Sequence, residues 1–218
     1  MSSPIDARSP ILTHDVGLYI DDLLGAPDPL AKALSDHAIE RGFPLIGHTS
    51  GNWLELLTRS ISGKRVFEFG SGFGFSAFYF ARAVGEHGEV IGAEHDDHEL
   101  DDFARIYGDH PLRKRIDIRL GCAFEIFDAT EGIFDAILID IDKEDYPRAL
   151  EAAISRTRPG GIIMADNVLW GGKTAHPPEE GDVSTEALQA FNKQLFSDSR
   201  IQTGILPAGD GLSISLVL

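Results

Sequence analysis

The chain has 218 residues, 43% hydrophobic and 25% charged, enough apolar material for one large α/β domain with a sizeable core. Its formal net charge of −16 argues against a nucleic-acid backbone or an anionic membrane as main partner, though not against a small anionic group held locally. The single cysteine, Cys122, rules out an intrachain disulfide and a cysteine-based metal cluster. The opening residues carry neither a basic n-region nor an apolar h-region, and no apolar run approaches the ~20 residues of a membrane span. A cytosolic, unprocessed protein is the expectation.

In chain order, residues 1–12 read as a poorly ordered arm containing Pro4 and Pro10. The spacing of Val16, Leu18, Tyr19, Leu23 and Leu24 predicts a short amphipathic helix over 15–24, stopped by Gly25 and Pro27. Asp28-Pro29 opens a second helix with Leu30, Ala33, Leu34 and Ala38 on one face, ending at Arg41-Gly42. This pair caps the sheet that follows, or else covers a substrate cleft or forms a subunit contact. Residues 43–47 read as a loop, and Ser50 as the N-cap of a helix carrying Trp53, Leu54, Leu56 and Leu57 that ends at Gly63.

A strand over 65–69 runs into Gly70-Ser71-Gly72-Phe73-Gly74-Phe75-Ser76 and then a helix through Arg82. Strand, glycine-rich turn and helix form a cofactor loop, because glycine permits close backbone approach and the helix N-terminus offers N–H groups. Phe75 stands where a dinucleotide fingerprint has its third glycine, which disfavours a pyrophosphate-binding loop. A second strand over 89–94 ends in Glu94, twenty residues after Gly74, where an acid can accept from ribose hydroxyls. A helix over 96–107 and a third strand over 116–120 follow. Cys122 then reads as a small residue lining a pocket or core rather than a nucleophile, since no base in the local sequence would activate it.

The apolar runs 136–139 and 162–165 each end in an acid: Asp140, with Lys143 three residues on, and Asp166, followed by Asn167. A helix-like segment closed by Pro159-Gly160-Gly161 joins them, which makes a crossover unit of a parallel sheet. Three oxygen donors and a lysine would then converge at one sheet edge, as a hard-metal site beside a base requires. The polar stretch 171–182 reads as a loop over a substrate. A helix over 187–196 leads to strands at 201–205 and 212–218, whose short glycine-rich connection predicts antiparallel neighbours.

The motifs VFEFGSGFGFSA, IGAEHD, FDAILIDIDKEDY, RPGGIIMADNVLWGGK and LPAGDGLSI occur in the order seen in cation-dependent O-methyltransferases, a family that includes the catechol and caffeoyl-CoA enzymes. The resemblance covers roughly residues 43–218. It implies a Rossmann-like class I methyltransferase fold: a seven-stranded, mostly parallel sheet with an antiparallel last strand and helices on both faces. One domain, 1–218, is expected, with 1–42 an N-terminal cap or arm on the core at 43–218. By the same resemblance, S-adenosylmethionine would meet Ile46, Glu68, Gly70, Gly72, Ser76, Glu94, His95, Cys122, Ala123 and Asp140. Asp140, Asp166 and Asn167 would hold a divalent cation; their oxygens suit Mg²⁺, with Ca²⁺ or Mn²⁺ possible. Lys143 matches the family's general base, and Trp170 and Asp210 would join it at the substrate, a vicinal dihydroxy aromatic small molecule. A homodimer is implied.

Some positions depart from the pattern: Cys122 replaces the usual acid or serine, and Ile141-Asp142 replace the histidine–tryptophan pair of animal catechol enzymes. Phe73 and Phe75 make the cofactor loop unusually aromatic. Two other readings share part of the pattern. An NAD(P)-dependent reductase would use the strand–loop–helix–acid unit but leaves Asp166-Asn167 without a task. A non-catalytic cofactor-binding subunit would keep the loop and need no base.

Overall fold

The apolar runs of the sequence become the middle of a seven-stranded sheet. In the computed structural model, which describes residues 14–218, the strands are β1 (Arg65–Phe69), β2 (Glu89–Glu94), β3 (Ile116–Leu120), β4 (Phe134–Ile139), β5 (Thr157–Ala165), β6 (Ile201–Leu206) and β7 (Leu212–Val217). The arm expected at 1–12 lies outside the described residues. Strand order is β3-β2-β1-β4-β5-β7-β6, parallel except for β7, which runs antiparallel to both its neighbours. This is the arrangement the resemblance implied.

Continuous apolar runs arise because both faces of the sheet are covered. Alternate side chains divide between two cores: Val66, Val90, Ala136, Leu138, Ile162 and Met164 join one, while Phe67, Phe69, Ile91, Ile137, Ile139 and Ile163 join the other. The first core receives α2 (Pro29–Arg41), α3 (Gly47–Ser60) and α4 (Phe75–Val84). The second receives α6 (Ala123–Ala129), α7 (Tyr146–Arg156) and α8 (Val183–Ser197). An aromatic cluster centres it, with Phe67 ring centroids 4.9 Å from both Phe69 and Phe127 and 5.5 Å from Phe134. The remaining helices, α1 (His14–Leu24) and α5 (Asp97–Tyr107), pack against α3 and against α2 and the sheet. Among the described residues no helix is long and apolar enough to cross a membrane.

Several boundaries differ from the sequence reading. α3 begins at Gly47, so Ser50 is not its N-cap; Ser50 is buried within the helix, and Ile46 stands at the cap without a side-chain bond. β5 begins at Thr157, ahead of the expected 162. Phe134 pairs with Thr157 but Ala136 with Ile162, so Pro159-Gly160-Gly161 is taken up as an irregularity inside the strand. There Arg158 donates to Asp135 Oδ1 at 2.6 Å and to the Ile61 carbonyl at 2.9 Å. α8 starts at Val183 rather than 187 because Asp182 caps it, accepting from the Thr185 N–H at 3.1 Å. Helix α6 was not expected; its seven residues are too few to display a helical period, and Phe124 and Phe127 anchor it to β1. The loop expected over 171–182 contains short 3₁₀ turns within residues 170–175, broken by the left-handed Gly171 and Gly172.

The strand order reverses between β1 and β4, because the chain first builds outward through β2 and β3 and then returns. Open α/β sheets bind ligands in the crevice at such a switch point. Here the crevice is narrow at its base: the Asp140 N–H donates to the Phe69 carbonyl at 2.8 Å, and a Cβ on Gly70 would lie 2.0 Å from the Asp140 carbonyl oxygen. With φ of 81° as well, position 70 admits only glycine.

Candidate active site

The ends of β4 and β5 bring together the residues singled out around 140 and 166. Lys143, at the start of a one-turn 3₁₀ segment, directs Nζ back over the strand ends. It donates to Asn167 Oδ1 at 2.7 Å, Tyr146 OH at 2.8 Å, the Ile141 carbonyl at 3.1 Å and Asp140 Oδ1 at 3.3 Å. The ammonium also faces the rings of Tyr146 at 4.8 Å and Trp170 at 5.6 Å. Tyr146 passes the connection on, its hydroxyl donating to the Asp166 carbonyl at 3.1 Å. Burial, and then the charge of Asp140, push the Tyr146 phenol well above its ordinary value, so it remains a donor. Sequence reading missed Tyr146; its signal is the three-residue spacing from Lys143, which puts both groups on one side of a turn.

Asp166 is buried, and its Oδ2 accepts from Asn167 Nδ2 at 3.1 Å while Oδ1 has no partner among the described residues. Burial and then the Asp140 carboxylate push it well above the usual carboxylate range, against the pull of the Asn167 backbone and Lys143. An orphaned carboxylate oxygen in that position fits a cation, and Asp140 and Asn167 supply further oxygens that already attract the Lys143 ammonium. No histidine or cysteine belongs to the set, which agrees with a hard ion rather than zinc. Asn167 has φ of 58°, a left-handed conformation that asparagine tolerates better than most residues.

The turn after β5 is pinned from both sides. The Val168 and Leu169 N–H groups donate to the carbonyls of Gly211 and Asp210, each at 3.0 Å, and Asn192 Nδ2 of α8 donates to the Val168 carbonyl at 2.7 Å. Asp210 Oδ1 also accepts from the Gly171 N–H. Asp210 therefore holds the segment carrying Asn167 and Trp170, a task its sequence position did not reveal.

On the other side of Asp140 lies the glycine turn. Gly74 precedes α4 in a left-handed conformation, and no side chain caps the helix. Glu94 accepts from the Gly72 N–H at 2.9 Å through Oε2, and from the His95 and Asp96 N–H groups at 2.7 and 3.0 Å through Oε1. It thus ties the loop to the end of β2. Glu68, inside β1, accepts from Ser71 Oγ at 2.6 Å, while its Oε1 is buried without a hydrogen-bond partner among the described residues. Burial raises its carboxyl to about 7, with Ser71 and Ser76 opposing. Phe73 fills the outer flank of the turn against His37 and Phe43, with ring centroids 5.2 and 5.1 Å away. The extra aromatic of this loop is therefore packing material. Cys122 is exposed at the start of α6, which removes the core from its two expected positions.

A cleft of about 1540 Å³ opens over the strand ends. Ile46, Asp140, Lys143, Asp166, Asn167, Trp170 and Asp210 all line it, together with α1, the turn before α2, and His48 and Tyr79. Glu68, Gly70, Gly72, Ser76, Glu94, His95, Cys122 and Ala123 do not; they lie along the ends of β1, β2 and β3. Asp140 stands at the border between the two groups.

The comparisons with known proteins bear directly on this geometry. Residues 32–218 match the O-methyltransferase family model. The chain belongs to that family. A catechol O-methyltransferase of Niastella koreensis is 30% identical over 215 residues, 94% of this chain and 97% of the relative. A probable caffeoyl-CoA O-methyltransferase of Dictyostelium discoideum is 29% identical, over 81% of this chain and 78% of its own. Among solved structures, an O-methyltransferase from Klebsiella pneumoniae superposes with a TM-score of 0.84 at 25% identity, covering 93% of this chain and 96% of the other. This membership makes the protein an O-methyltransferase rather than a reductase.

Proposed function

We propose that this O-methyltransferase moves the methyl group of S-adenosylmethionine to one hydroxyl of a catechol-like small molecule and requires a divalent cation, Mg²⁺ by donor chemistry with Ca²⁺ or Mn²⁺ as substitutes. The observation that carries the reading is the convergence of Asp140, Asp166, Asn167 and Lys143 on one cleft, with Asp166 Oδ1 buried and unpartnered. Relatives described as catechol and caffeoyl-CoA O-methyltransferases support the acceptor class. The acceptor's partner is neither nucleic acid nor membrane, in keeping with the net charge of −16.

S-adenosylmethionine would supply an electrophilic methyl group from the switch-point crevice, against Gly70, Gly72 and Ser76, with Glu68, Glu94, His95, Ile46 and Cys122-Ala123 around it. A divalent cation held by Asp140, Asp166 and Asn167 would supply Lewis acidity toward the acceptor's neighbouring hydroxyls. Lys143 Nζ takes the hydroxyl proton, and Tyr146 and Asn167 orient that nitrogen. Trp170 walls the cleft beside it, and Asp210 fixes the wall's backbone. Holding the acceptor oxygen in line with the methyl group is then most of the catalytic task. Of the N-terminal segment, the described residues 14–42 serve as a cap on a single methyltransferase domain, and the working unit is a homodimer.

The test is methyl transfer to unsubstituted catechol with Mg²⁺ and with EDTA. Activity is expected with the ion, lost in EDTA and restored by added Mg²⁺. Undiminished transfer in EDTA would remove the cation from the reaction.

A further inference from the structure

Helix α2 carries two stripes of residues at helical spacing. Ala31, Ser35 and Ile39 line the cleft, while His37 and Arg41 turn the other way, onto α5. There Asp102 Oδ2 accepts from His37 Nε2 at 2.6 Å and from Arg41 at 2.7 Å. The buried Glu99 accepts from both terminal nitrogens of Arg41, at 2.6 and 2.9 Å. An isolated surface ion pair would fix little, but a two-pronged arginine on a buried carboxylate is a firm anchor. It holds the end of α2, and with it the His37 ring, of which only 15% is exposed.

The other side of His37 meets the glycine turn. Phe73 is buried, and its ring lies edge-on to His37 at 5.2 Å and to Phe43 at 5.1 Å. Phe43 arrives there through the C-cap of α2. Gly42 takes a left-handed φ of 66°, and the Gly42 and Phe43 N–H groups return to the carbonyls of Ile39 and Ala38 at 3.2 and 2.9 Å. Phe43 also presses on Gly72, since a Cβ at that position would lie 3.1 Å from its Cζ. From the opposite direction Glu94 accepts the Gly72 N–H at 2.9 Å. Residues 72–73 are therefore gripped between the end of β2 and the end of α2. Gly74, by contrast, is held by α5 directly, its carbonyl accepting from the Tyr107 hydroxyl at 2.7 Å. Beneath the turn Glu68 Oε1 is buried without a hydrogen-bond partner among the described residues, which marks the inner side as the one that receives a ligand.

We infer that His37 and Phe43 are positioning residues for the cofactor: acting through Phe73 and Gly72, they hold the glycine turn in the shape that binds S-adenosylmethionine, with Asp102 fixing the His37 ring. The inference rests on the switch-point crevice being the cofactor site and is independent of the cation and the acceptor. Neither side chain touches the ligand. Their contribution is to order the turn before binding, so that binding does not have to order it. The aromatic residue that sets this loop apart is the handle by which the N-terminal cap holds it.

The experiment titrates S-adenosylhomocysteine, the demethylated donor, calorimetrically into the wild-type protein and its variants, with neither cation nor acceptor present. His37→Ala and Phe43→Ala are each expected to weaken binding about three- to tenfold, the size of one or two lost aromatic contacts. His37→Phe, which returns a ring to the flank of Phe73, should recover most of that loss. In a Phe73→Leu background His37→Ala should cost nothing further, because its route to the turn is already gone. Calorimetry reads stoichiometry apart from affinity, so a partly misfolded variant shows fewer sites rather than weaker ones. Wild-type affinity in both alanine variants overturns the inference. So does a full His37→Ala loss in the Phe73→Leu background, or no recovery in His37→Phe. If the wild-type protein does not bind S-adenosylhomocysteine at all, the functional reading falls with it.

Discussion

Two buried acids mark the two halves of the reacting edge, and they differ in what burdens them. Glu68, inside β1, is pushed up to about 7 chiefly by burial, and hydroxyl groups of Ser71 and Ser76 work against the shift. Asp166, just past β5, is pushed up by burial and then by a second carboxylate, Asp140, with Lys143 opposing. A proton or a small polar group settles the first. The second is crowded by like charge and is relieved by positive charge. The glycine-turn half is thus defined by backbone and packing, the strand-end half by charge. That division explains why Lys143 is tied to the strand ends by four contacts, while no lysine or arginine bonds to Glu68 or Glu94 among the described residues.

Perturbing each half separately should keep the effects apart. The largest change is expected from Lys143→Ala, which removes the proposed proton acceptor: turnover should fall about a hundred- to ten-thousandfold. Calorimetric affinity for S-adenosylmethionine should be unchanged, since the glycine turn is untouched; unchanged turnover would exclude Lys143 as the base. Gly70→Ala strikes the other half. Its Cβ would collide with the Asp140 carbonyl, and the left-handed φ is unfavourable, so urea denaturation should show a loss of about 2–4 kcal/mol.

Glu68→Gln tests the burial argument through pH. The folded carboxyl sits above its ordinary 4.5, so its contribution is fully present below about 4.5 and is lost as pH rises through about 7. The rise from 4.5 to about 7 corresponds to about 3 kcal/mol. Wild-type stability should therefore decline over that window relative to the glutamine variant, as urea midpoints at pH 4.5 and pH 8 would reveal. Parallel pH profiles would show that Glu68 is not the buried acid described. The smallest effect belongs to Asn192→Ala, which takes away one donor to the Val168 carbonyl. A loss of about 1 kcal/mol is expected, with a looser turn around Asn167 seen as faster amide exchange there.

Much of the framework was legible from residue order. The alternation of apolar runs with helical segments announced the parallel sheet, and the Gly209–Gly211 connection announced the antiparallel β7. Asp140, Lys143, Asp166 and Asn167 were legible as a group because strand ends in a crossover unit must share one edge. What escaped was set by contacts between distant segments. Ser50 looks like a helix cap, but α3 gains another turn ahead of it and buries the hydroxyl. Asp210 lines the cleft, and its acceptance of the Gly171 N–H is a contact between segments that no local pattern announces. Asn192 carries no motif signal of its own, since its partner lies 24 residues away, and Tyr146 shows only its three-residue spacing from Lys143, its second partner lying 20 residues away.

Local sequence alone determined most of the elements, the glycine turn at the switch point and the chemical types at the strand ends, because apolar periodicity, glycine's conformational range and short spacings act within a few residues. Only the tertiary structure decided which oxygen of Asp166 is left without a partner, that Gly70 must yield space to Asp140, and that Asp21 and Asp28 share a cleft with Lys143. Those properties depend on segments far apart in the chain, and burial and electrostatic fields exist only once the core has closed around them.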